Sequence, residues 1–139
     1  MTRVYADMVA DLFHYGHVEF LRRARELGDQ LLVGVHSDAT VRSYKRAPIM
    51  TMEERVPVVR ACRYVDEVIP DAPLTITEEW IARHRIDLVV HGDDLDEDSM
   101  MMMYGVPARR GMLRTVPYTA GISTTQIMAR LKESAQLDR

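Results

Sequence analysis

Hydrophobic and polar positions along this chain follow two different periods, and these periods predict strands and helices in turn. Residues 30–36, "QLLVGVH", form a continuous apolar run rich in β-branched side chains, as expected of a buried parallel strand. A helix is predicted over residues 16–27, closed by Gly28, because apolar residues recur there at helical spacing: Val18, Leu21, Ala24 and Leu27.

The same two patterns extend over the rest of the chain. They predict strands at 3–10, 66–70, 86–92 and 114–118, and helices at 51–63, 75–85 and 123–135. Thr51 and Glu54 have the spacing of a capping box at the start of one helix. This alternation predicts an α/β fold: a doubly wound, five-stranded parallel sheet with helices on both faces, in one domain over residues 1–139.

Composition and charge narrow the possible functions. The net charge of −3 provides no overall basic surface for nucleic acid or an anionic membrane. Cys62 is the only cysteine, which excludes an internal disulfide and a multi-cysteine zinc site. No run of about 18 apolar residues predicts a membrane span, and the first residues do not resemble a signal peptide. We therefore expect a cytoplasmic protein.

Polar motifs follow the predicted strands, at the sheet edge where such folds bind ligands. They comprise His14 and His17, His36 and Lys45, the segment 91–94, and the segment 121–125. The spacing of the first two histidines suits a metal site, a packing role or a catalytic pair, and a zinc site would need a third ligand such as His36 or His91. The run of four methionines at 100–103 is interpreted as a flexible apolar patch or as a pocket lining.

Six motifs occur in an order that resembles one family. They are "DLFHYGH", "ARELGDQLLVGVHSD", "KRAPIMTMEER", "RYVDEVIP", "HGDD" and "GISTT", and the similarity runs from about Val4 to Leu131. The chain thereby resembles the cytidylyltransferases of the HxGH nucleotidylyltransferase superfamily, and most of all the ethanolamine-phosphate branch. The resemblance implies a Rossmann-like domain, usually dimeric, that transfers CMP from CTP to a small phosphorylated alcohol and releases pyrophosphate, with Mg²⁺ bound mainly through the CTP phosphates.

The resemblance also implies roles for individual residues. His14 and His17 would stabilise charge on the α-phosphate, and Lys45 would reach the triphosphate from a loop. Gly16 would let the nucleotide approach closely. The expected nucleotide contacts are Val9, Ala10, Asp11, Gly16, His91, Asp93, Gly121, Ile122, Ser123 and Thr124. The expected acceptor contacts are Asp94, Tyr118 and Arg55.

Two positions depart from the family pattern. Met8 stands where the family usually has glycine, and Tyr118 stands where it has an arginine that meets phosphate. Tyrosine lacks the charge and the bidentate geometry of arginine, so the candidates to replace it are Arg109, Arg110 and Arg114.

These departures leave the acceptor open. A phosphonate acceptor such as 2-hydroxyethylphosphonate presents the same anionic oxygens, and the cytidylyltransferase domain of fosfomycin biosynthesis, which acts on that compound, is a model for it. By the same resemblance, the chain is expected to suit one domain of a longer bifunctional protein. The alternatives are an adenylyltransferase of the same superfamily and a nucleotide-binding regulator that has lost activity.

Overall fold

Five parallel strands form the single sheet of this protein in the computed structural model, which describes residues 1–137. The strands are β1 (Arg3–Met8), β2 (Gln30–Val35), β3 (Glu67–Pro70), β4 (Leu88–Gly92) and β5 (Leu113–Val116). The helices are α1 (Tyr15–Arg25), α2 (Asp38–Arg42), α3 (Met52–Arg60), α4 (Glu78–His84), α5 (Glu97–Arg109) and α6 (Thr124–Leu137). None of the helices within residues 1–137 combines the length and apolar character that crossing a membrane requires.

Side chains of the central strand alternate between two apolar cores, one on each face of the sheet. Val4 and Ala6 are fully buried in a core that includes α1 and α3 residues, such as Leu21. Tyr5, between them, is buried in the opposite core with residues of α4 and α5, such as Ile81. Helices therefore cover both faces, which confirms the predicted doubly wound α/β architecture.

The strand order fixes where the site can form. The order is β3-β2-β1-β4-β5, so the chain first builds outward from β1 to β3 and then returns to place β4 on the other side of β1. The connection that follows β1 leads to β2 on one side of the sheet, and the connection that follows β4 leads to β5 on the other side. A crevice therefore opens between β1 and β4 at their carboxyl ends. The segments that follow β1 and β4 meet in this crevice.

Two helices were not predicted, and one helix ends earlier than predicted. The pattern did not reveal α2, and α5 contains the methionine run, of which Met103 is buried in the second core. Helix α1 ends at Arg25, and Glu26 is its C-cap, so Gly28 does not cap it. A side chain at Gly28 would instead collide with Val4, since a Cβ atom would lie 2.6 Å from that valine's Cγ2. Close packing, and not a helix cap, accounts for this glycine.

The predicted capping box of α3 is present. The backbone N–H of Glu54 donates to the Thr51 hydroxyl oxygen at 3.3 Å, and the Thr51 N–H donates to the Glu54 carboxylate at 2.9 Å. Two otherwise unpaired N–H groups at the helix start are satisfied in this way. Here the local sequence alone determines the start of the helix.

Candidate functional site

A single cleft of about 710 Å³ lies at the carboxyl ends of β1 and β4. Its volume suits a nucleotide-sized ligand. The cleft brings together most of the predicted site residues: Val9, Ala10, Asp11, His14, Gly16, His17, Lys45, His91, Asp94, Tyr118, Ile122, Ser123 and Thr124. Three of the predicted site residues are not among the described residues that line the cleft: Arg55, Asp93 and Gly121.

The two motif histidines cap helix α1 with their own rings. His14 is the N-cap residue, and its Nδ1 accepts from the Gly16 N–H at 3.0 Å. His17 lies three residues later, and its Nδ1 accepts from the His14 N–H, also at 3.0 Å. The ring centroids are 4.0 Å apart, and the His17 ring stacks on Phe13. Imidazoles thus make the reciprocal bonds that hydroxyl and carboxylate groups make in an ordinary capping box.

This capping arrangement determines the tautomer of both rings. Because each Nδ1 accepts a backbone hydrogen bond, the proton of the neutral ring must sit on Nε2. Burial lowers the pKa of His14 below its usual 6.5. Burial, followed by repulsion from His14, lowers the pKa of His17 to about 3. At neutral pH the cleft is therefore lined by two uncharged rings that carry an Nε2–H donor.

Gly16 makes room for the His14 ring at the start of α1. A Cβ atom at this position would lie 2.8 Å from His14 Cε1 and 3.0 Å from its Nδ1. The nucleotide contact expected at Gly16 stays a prediction: Gly16 lines the cleft, and the His14 ring occupies the space that a Cβ atom would fill. The glycine is needed because it lets that ring fold back over the helix start.

The segment that leads from β1 to the histidines has an unusual backbone. Ala10 and Leu12 adopt left-handed conformations with φ values of 60° and 49°. Such conformations cost a non-glycine residue on the order of 1 kcal/mol or more, so surrounding bonds must hold them. Val9 O accepts a 2.6 Å bond from Arg55, and Asp11 O accepts a 3.1 Å bond from the Thr124 hydroxyl.

Arg55 is fully buried and lies behind the cleft wall. Its guanidinium donates to the carbonyls of Val9 and Met50 and forms a 2.6 Å ion pair with Asp38. Three of its five N–H groups are bonded within the protein, and the side chain is fully buried outside the cleft lining, so none of its donors faces an acceptor phosphate. The geometry does not support the predicted acceptor contact and instead gives Arg55 a structural position between α2, α3 and the β1–α1 segment.

Asp11 anchors the loop that carries Lys45. Its two carboxylate oxygens accept the N–H groups of Ile49 and Met50 at 2.8 Å and 2.9 Å. Lys45 lies upstream in the same loop, and burial, followed by the charge of Arg46, lowers the pKa of its ammonium group. The Asp11 and Asp94 carboxylates act in the opposite direction on that pKa. Asp11 therefore positions the loop, a role that its sequence context did not indicate.

The start of α6 presents hydrogen-bond donors to the cleft. Ser123 Oγ accepts from the Gln126 N–H at 3.1 Å, which leaves the hydroxyl proton free to donate. The Thr124 hydroxyl, by contrast, donates to Asp11 O, so it has no proton left for a phosphate. The backbone N–H groups of Thr124 and Thr125 have no partner within residues 1–137. Gly121 precedes this turn with φ 89°, a conformation that favours glycine.

The end of β4 contributes a second wall. His91 donates through Nδ1 to the Gly92 carbonyl at 2.9 Å, and its ring lies 4.8 Å from that of Tyr104. The Asp94 side chain faces the cleft, while Asp93 accepts the backbone N–H of Tyr118 at 3.0 Å. Asp93 thus holds the segment that carries Tyr118 and does not line the cleft itself.

The floor of the cleft is a buried polar network that the sequence did not reveal. Asp7 has a fully buried side chain, and its carboxylate accepts from the Tyr104 hydroxyl at 2.5 Å and from His36 Nε2 at 3.2 Å. His36 Nδ1 is 2.9 Å from the Tyr44 hydroxyl. Burial, followed by the Asp7 charge, raises the pKa of Tyr44 to about 12, and the same two causes raise the pKa of Tyr104. Both phenols therefore remain protonated donors.

One signal could have exposed part of this network. Asp7 interrupts an otherwise apolar stretch, "VYADMVA", in a strand that must be buried on both faces. A carboxylate in such a strand needs partners, because an unpaired buried charge is costly. The partners themselves come from residues 36, 44 and 104, which no local pattern connects to residue 7.

Methionines line both sides of this floor. Met8 packs against the first core and lines the cleft. Met102 and Met103 of α5 also line the cleft. Both interpretations of the methionine run are thus partly correct, since Met103 is buried, Met102 lines the cleft and Met101 is 46% exposed.

The described part of the chain does not support a zinc site. No cluster of three or more metal-ligating side chains occurs among these residues. Of the two candidate third ligands, His36 has both ring nitrogens engaged by Asp7 and Tyr44, and His91 has its Nδ1 bonded to the Gly92 carbonyl. Asp11 likewise has both carboxylate oxygens engaged by backbone N–H groups. A cation in this cleft would depend on oxygens that a ligand brings.

Comparison with known proteins gives a consistent match. The sequence model of the family described as Cytidylyltransferase-like matches residues 6–130. A probable ethanolamine-phosphate cytidylyltransferase of Encephalitozoon cuniculi is 44% identical over 132 residues, which cover 94% of this chain and 41% of that protein. The human choline-phosphate cytidylyltransferase A is 43% identical over 134 residues, covering 94% of this chain and 36% of that protein. The chain therefore spans less than half the length of these relatives.

Solved structures agree on the fold. A lipopolysaccharide core biosynthesis protein from Thermoplasma volcanium superposes with a TM-score of 0.69 at 26% identity, over 88% of this chain and 99% of that one. A pantothenate synthetase from Thermus thermophilus superposes with a TM-score of 0.60 at 13% identity, over 91% of this chain and 61% of that one, and shows the fold alone.

Proposed function

The chain belongs to the cytidylyltransferase-like family, and from that premise we propose that it transfers CMP from CTP to the phosphate oxygen of phosphoethanolamine or a closely similar acceptor. An acceptor oxygen forms a bond to the α-phosphorus of CTP. The bond from that phosphorus to the oxygen bridging to the β-phosphate breaks, and its electron pair leaves with pyrophosphate. The products are a CDP-linked alcohol and pyrophosphate.

One observation carries this proposal: the groups that can neutralise a triphosphate converge on one cleft. The Nε2–H donors of His14 and His17, the Lys45 ammonium and the first turn of α6 all line the same 710 Å³ space. They come from segments that follow three different strands. A nucleotide tail is the ligand chemistry that uses imidazole, ammonium and helix N-terminal donors together.

The histidines act as hydrogen-bond donors in this mechanism. A phosphate monoester is already anionic near neutral pH, so its attack needs no general base. Charge builds on the α-phosphate oxygens and the bridging oxygen, and two fixed Nε2–H groups stabilise it without reorganising. The capping bonds hold both rings in place before the ligand arrives, because each Nδ1 is fastened to the backbone.

The start of α6 and Lys45 would bind the leaving pyrophosphate. The free N–H groups of Thr124 and Thr125 and the hydroxyl proton of Ser123 offer donors at a positive helix end. Lys45 would approach from its loop as a mobile charge. Stronger contact with the departing group than with bound CTP would lower the barrier.

Magnesium and a second copy of the chain belong to the same proposal. Mg²⁺ would supply charge neutralisation on the β- and γ-phosphates. Such an ion would be held mainly by ligand oxygens, with Asp94 as a lining carboxylate for which no hydrogen bond is found among residues 1–137, whereas Asp7 and Asp11 are already bonded within the protein. The expected homodimer is testable by sedimentation of the purified protein.

The floor of the cleft favours an acceptor with a cationic end. The Asp7 carboxylate lies beneath the cleft, and burial, followed by the Asp7 charge, raises the pKa values of Tyr44 and Tyr104. An ammonium group would gain from that negative charge and from nearby aromatic faces. Relatives of both the ethanolamine and the choline type match at similar identity, 44% and 43%, so the acceptor's charge is better supported than its exact size.

An acceptor panel tests the proposal. Pyrophosphate release would be measured with CTP and with ATP, against phosphoethanolamine, phosphocholine, glycerol 3-phosphate, 2-hydroxyethylphosphonate and 2-aminoethylphosphonate. We expect CTP with phosphoethanolamine to give the highest kcat/KM. Preference for ATP would reject cytidylyl transfer, and CTP binding without turnover on any acceptor would indicate a regulator. Preference for an acceptor without a cationic nitrogen, such as glycerol 3-phosphate or 2-hydroxyethylphosphonate, would reject the role of Asp7.

A further inference from the structure

We propose that Arg46 binds the β- and γ-phosphates of CTP and thereby replaces the arginine that this chain lacks at position 118. The inference rests on the proposed function and deepens it, because it names a further binding residue of the same cleft.

The proposal starts from a missing charge. Tyr118 lies at the cleft wall and is 53% exposed, but it provides no cation. The three arginines suggested as replacements do not reach the cleft. Arg110 pairs with Glu78 at 2.8 Å, Arg114 donates to the Gly111 and Leu113 carbonyls, and Arg109 packs beside Gly105. None of them belongs to the described lining.

Arg46 is the arginine that does line the cleft within the described residues. It follows Lys45 directly, and no ion pair or hydrogen bond engages its guanidinium in that part of the chain. Some arginines of the described residues are neutralised, for example Arg22 by two glutamates and Arg55 by Asp38, and others, such as Arg42, are unpaired but lie outside the cleft lining. An unpaired guanidinium at a cleft wall is available to a ligand, and its planar fork suits phosphate oxygens.

The anchoring of the loop places Arg46 near the start of α6. The Asp11 carboxylate holds Ile49 and Met50, while its carbonyl oxygen accepts the Thr124 hydroxyl. Residue 46 is only three residues before Ile49, so its backbone lies within about 10 Å of that anchor. The Arg46 side chain can therefore reach the end of the cleft where the free N–H groups of α6 would hold the β- and γ-phosphates.

A binding experiment separates this role from a general effect of charge. Affinities for CTP and for CMP would be measured by calorimetry, without acceptor, for the wild type, Arg46→Ala and Arg42→Ala. Arg42 is an exposed arginine of α2 outside the cleft lining, so it is the matched control. We expect Arg46→Ala to weaken CTP binding about tenfold or more and to leave CMP binding within about twofold, since CMP lacks the phosphates that Arg46 contacts. Arg42→Ala should bind both as the wild type does.

A second variant tests replacement directly. If Arg46 compensates for residue 118, Tyr118→Arg should restore most of the lost CTP affinity in the Arg46→Ala background. Unchanged CTP binding by Arg46→Ala would overturn the assignment while leaving the proposed function standing, and so would an equal loss of CTP and CMP binding. A wild type that binds neither nucleotide would remove the proposed function and this inference together.

Discussion

The histidine pair at the start of α1 and the single histidine on the floor of the cleft are bonded in opposite ways. His14 and His17 fasten Nδ1 to the backbone of α1 and leave Nε2–H free toward the cleft. His36, on the floor, engages both ring nitrogens, one with Asp7 and one with Tyr44. The same side chain is thus held ready for a ligand in the first group and is fully satisfied by the protein in the second.

The difference teaches that the bonding of a histidine, more than its location, indicates its role. A ring with one fixed nitrogen and one open nitrogen is oriented yet still able to donate. A ring with both nitrogens engaged contributes to folding and to the shape and field of the cleft. Variants of the two groups should therefore differ in whether activity or stability suffers first.

The largest expected effect is the loss of activity when the free Nε2–H donor of His17 is removed. His17→Ala should lower kcat/KM for CMP transfer by about 100-fold, or about 3 kcal/mol, because one fixed transition-state donor is lost. Its unfolding free energy should fall by only about 1 kcal/mol, the typical loss for a helix cap. Steady-state kinetics and urea denaturation measure the two quantities, and turnover at the wild-type level would contradict the assigned role.

The next effect concerns the floor, where stability should suffer first. Asp7→Ala should lower the unfolding free energy by about 3 kcal/mol, because it leaves buried hydrogen-bonding groups of Tyr104 and His36 without their acceptor. The control is Asp93→Ala, which removes an exposed carboxylate that accepts a single N–H and should cost less than about 1 kcal/mol. Equal urea midpoints for the two variants would show that the network contributes no special stability.

A smaller effect is expected when the histidine pair is disturbed indirectly. Gly16→Ala brings a Cβ atom 2.8 Å from His14 Cε1, so the ring must move away from its capping position. We expect about a tenfold loss of kcat/KM with a loss of stability near 1 kcal/mol. Gly105→Ala is the matched substitution, since its new Cβ would meet only the flexible end of Arg109 at 3.1 Å. Gly105→Ala should leave kcat/KM within about twofold; equal losses in the two variants would count against the capping explanation.

The last prediction concerns the pH dependence of the histidine pair. His17 has a pKa of about 3 when folded, against 6.5 ordinarily, so the unfolded chain binds a proton between these values that the native state does not. Its contribution to stability is complete above pH 6.5 and is lost as the pH falls toward 3. An NMR titration should find the His17 ring still neutral at about pH 5. A midpoint at or above 6.5 would contradict the capping tautomer.

Features that depend on neighbouring residues were predictable from the sequence. The alternation of strands and helices, the capping box at Thr51 and Glu54, and the convergence of motifs at the strand ends follow from local patterns and the rules of parallel sheets. The family resemblance identified the histidine pair for the same reason, because its members are three residues apart in one motif.

Features that depend on distant contacts were not predictable. The network of Asp7, His36, Tyr44 and Tyr104 joins residues up to 97 positions apart, and no periodicity encodes that proximity. Arg55 was expected to contact the acceptor because its sequence context resembles a binding position, yet tertiary packing surrounds it with partners. Helix α5 escaped notice because its acidic start and methionine run do not show an amphipathic pattern.

The left-handed residues Ala10 and Leu12 have a consequence for protein engineering. Glycine at either position would relieve the strain of a positive φ, while it would also give the unfolded chain more freedom and, at Ala10, remove a buried methyl group. The same relief would loosen the segment that leads directly into His14. Thermal tolerance gained at residues 10 and 12 should therefore come with slower turnover, whereas tolerance gained elsewhere on the surface should not.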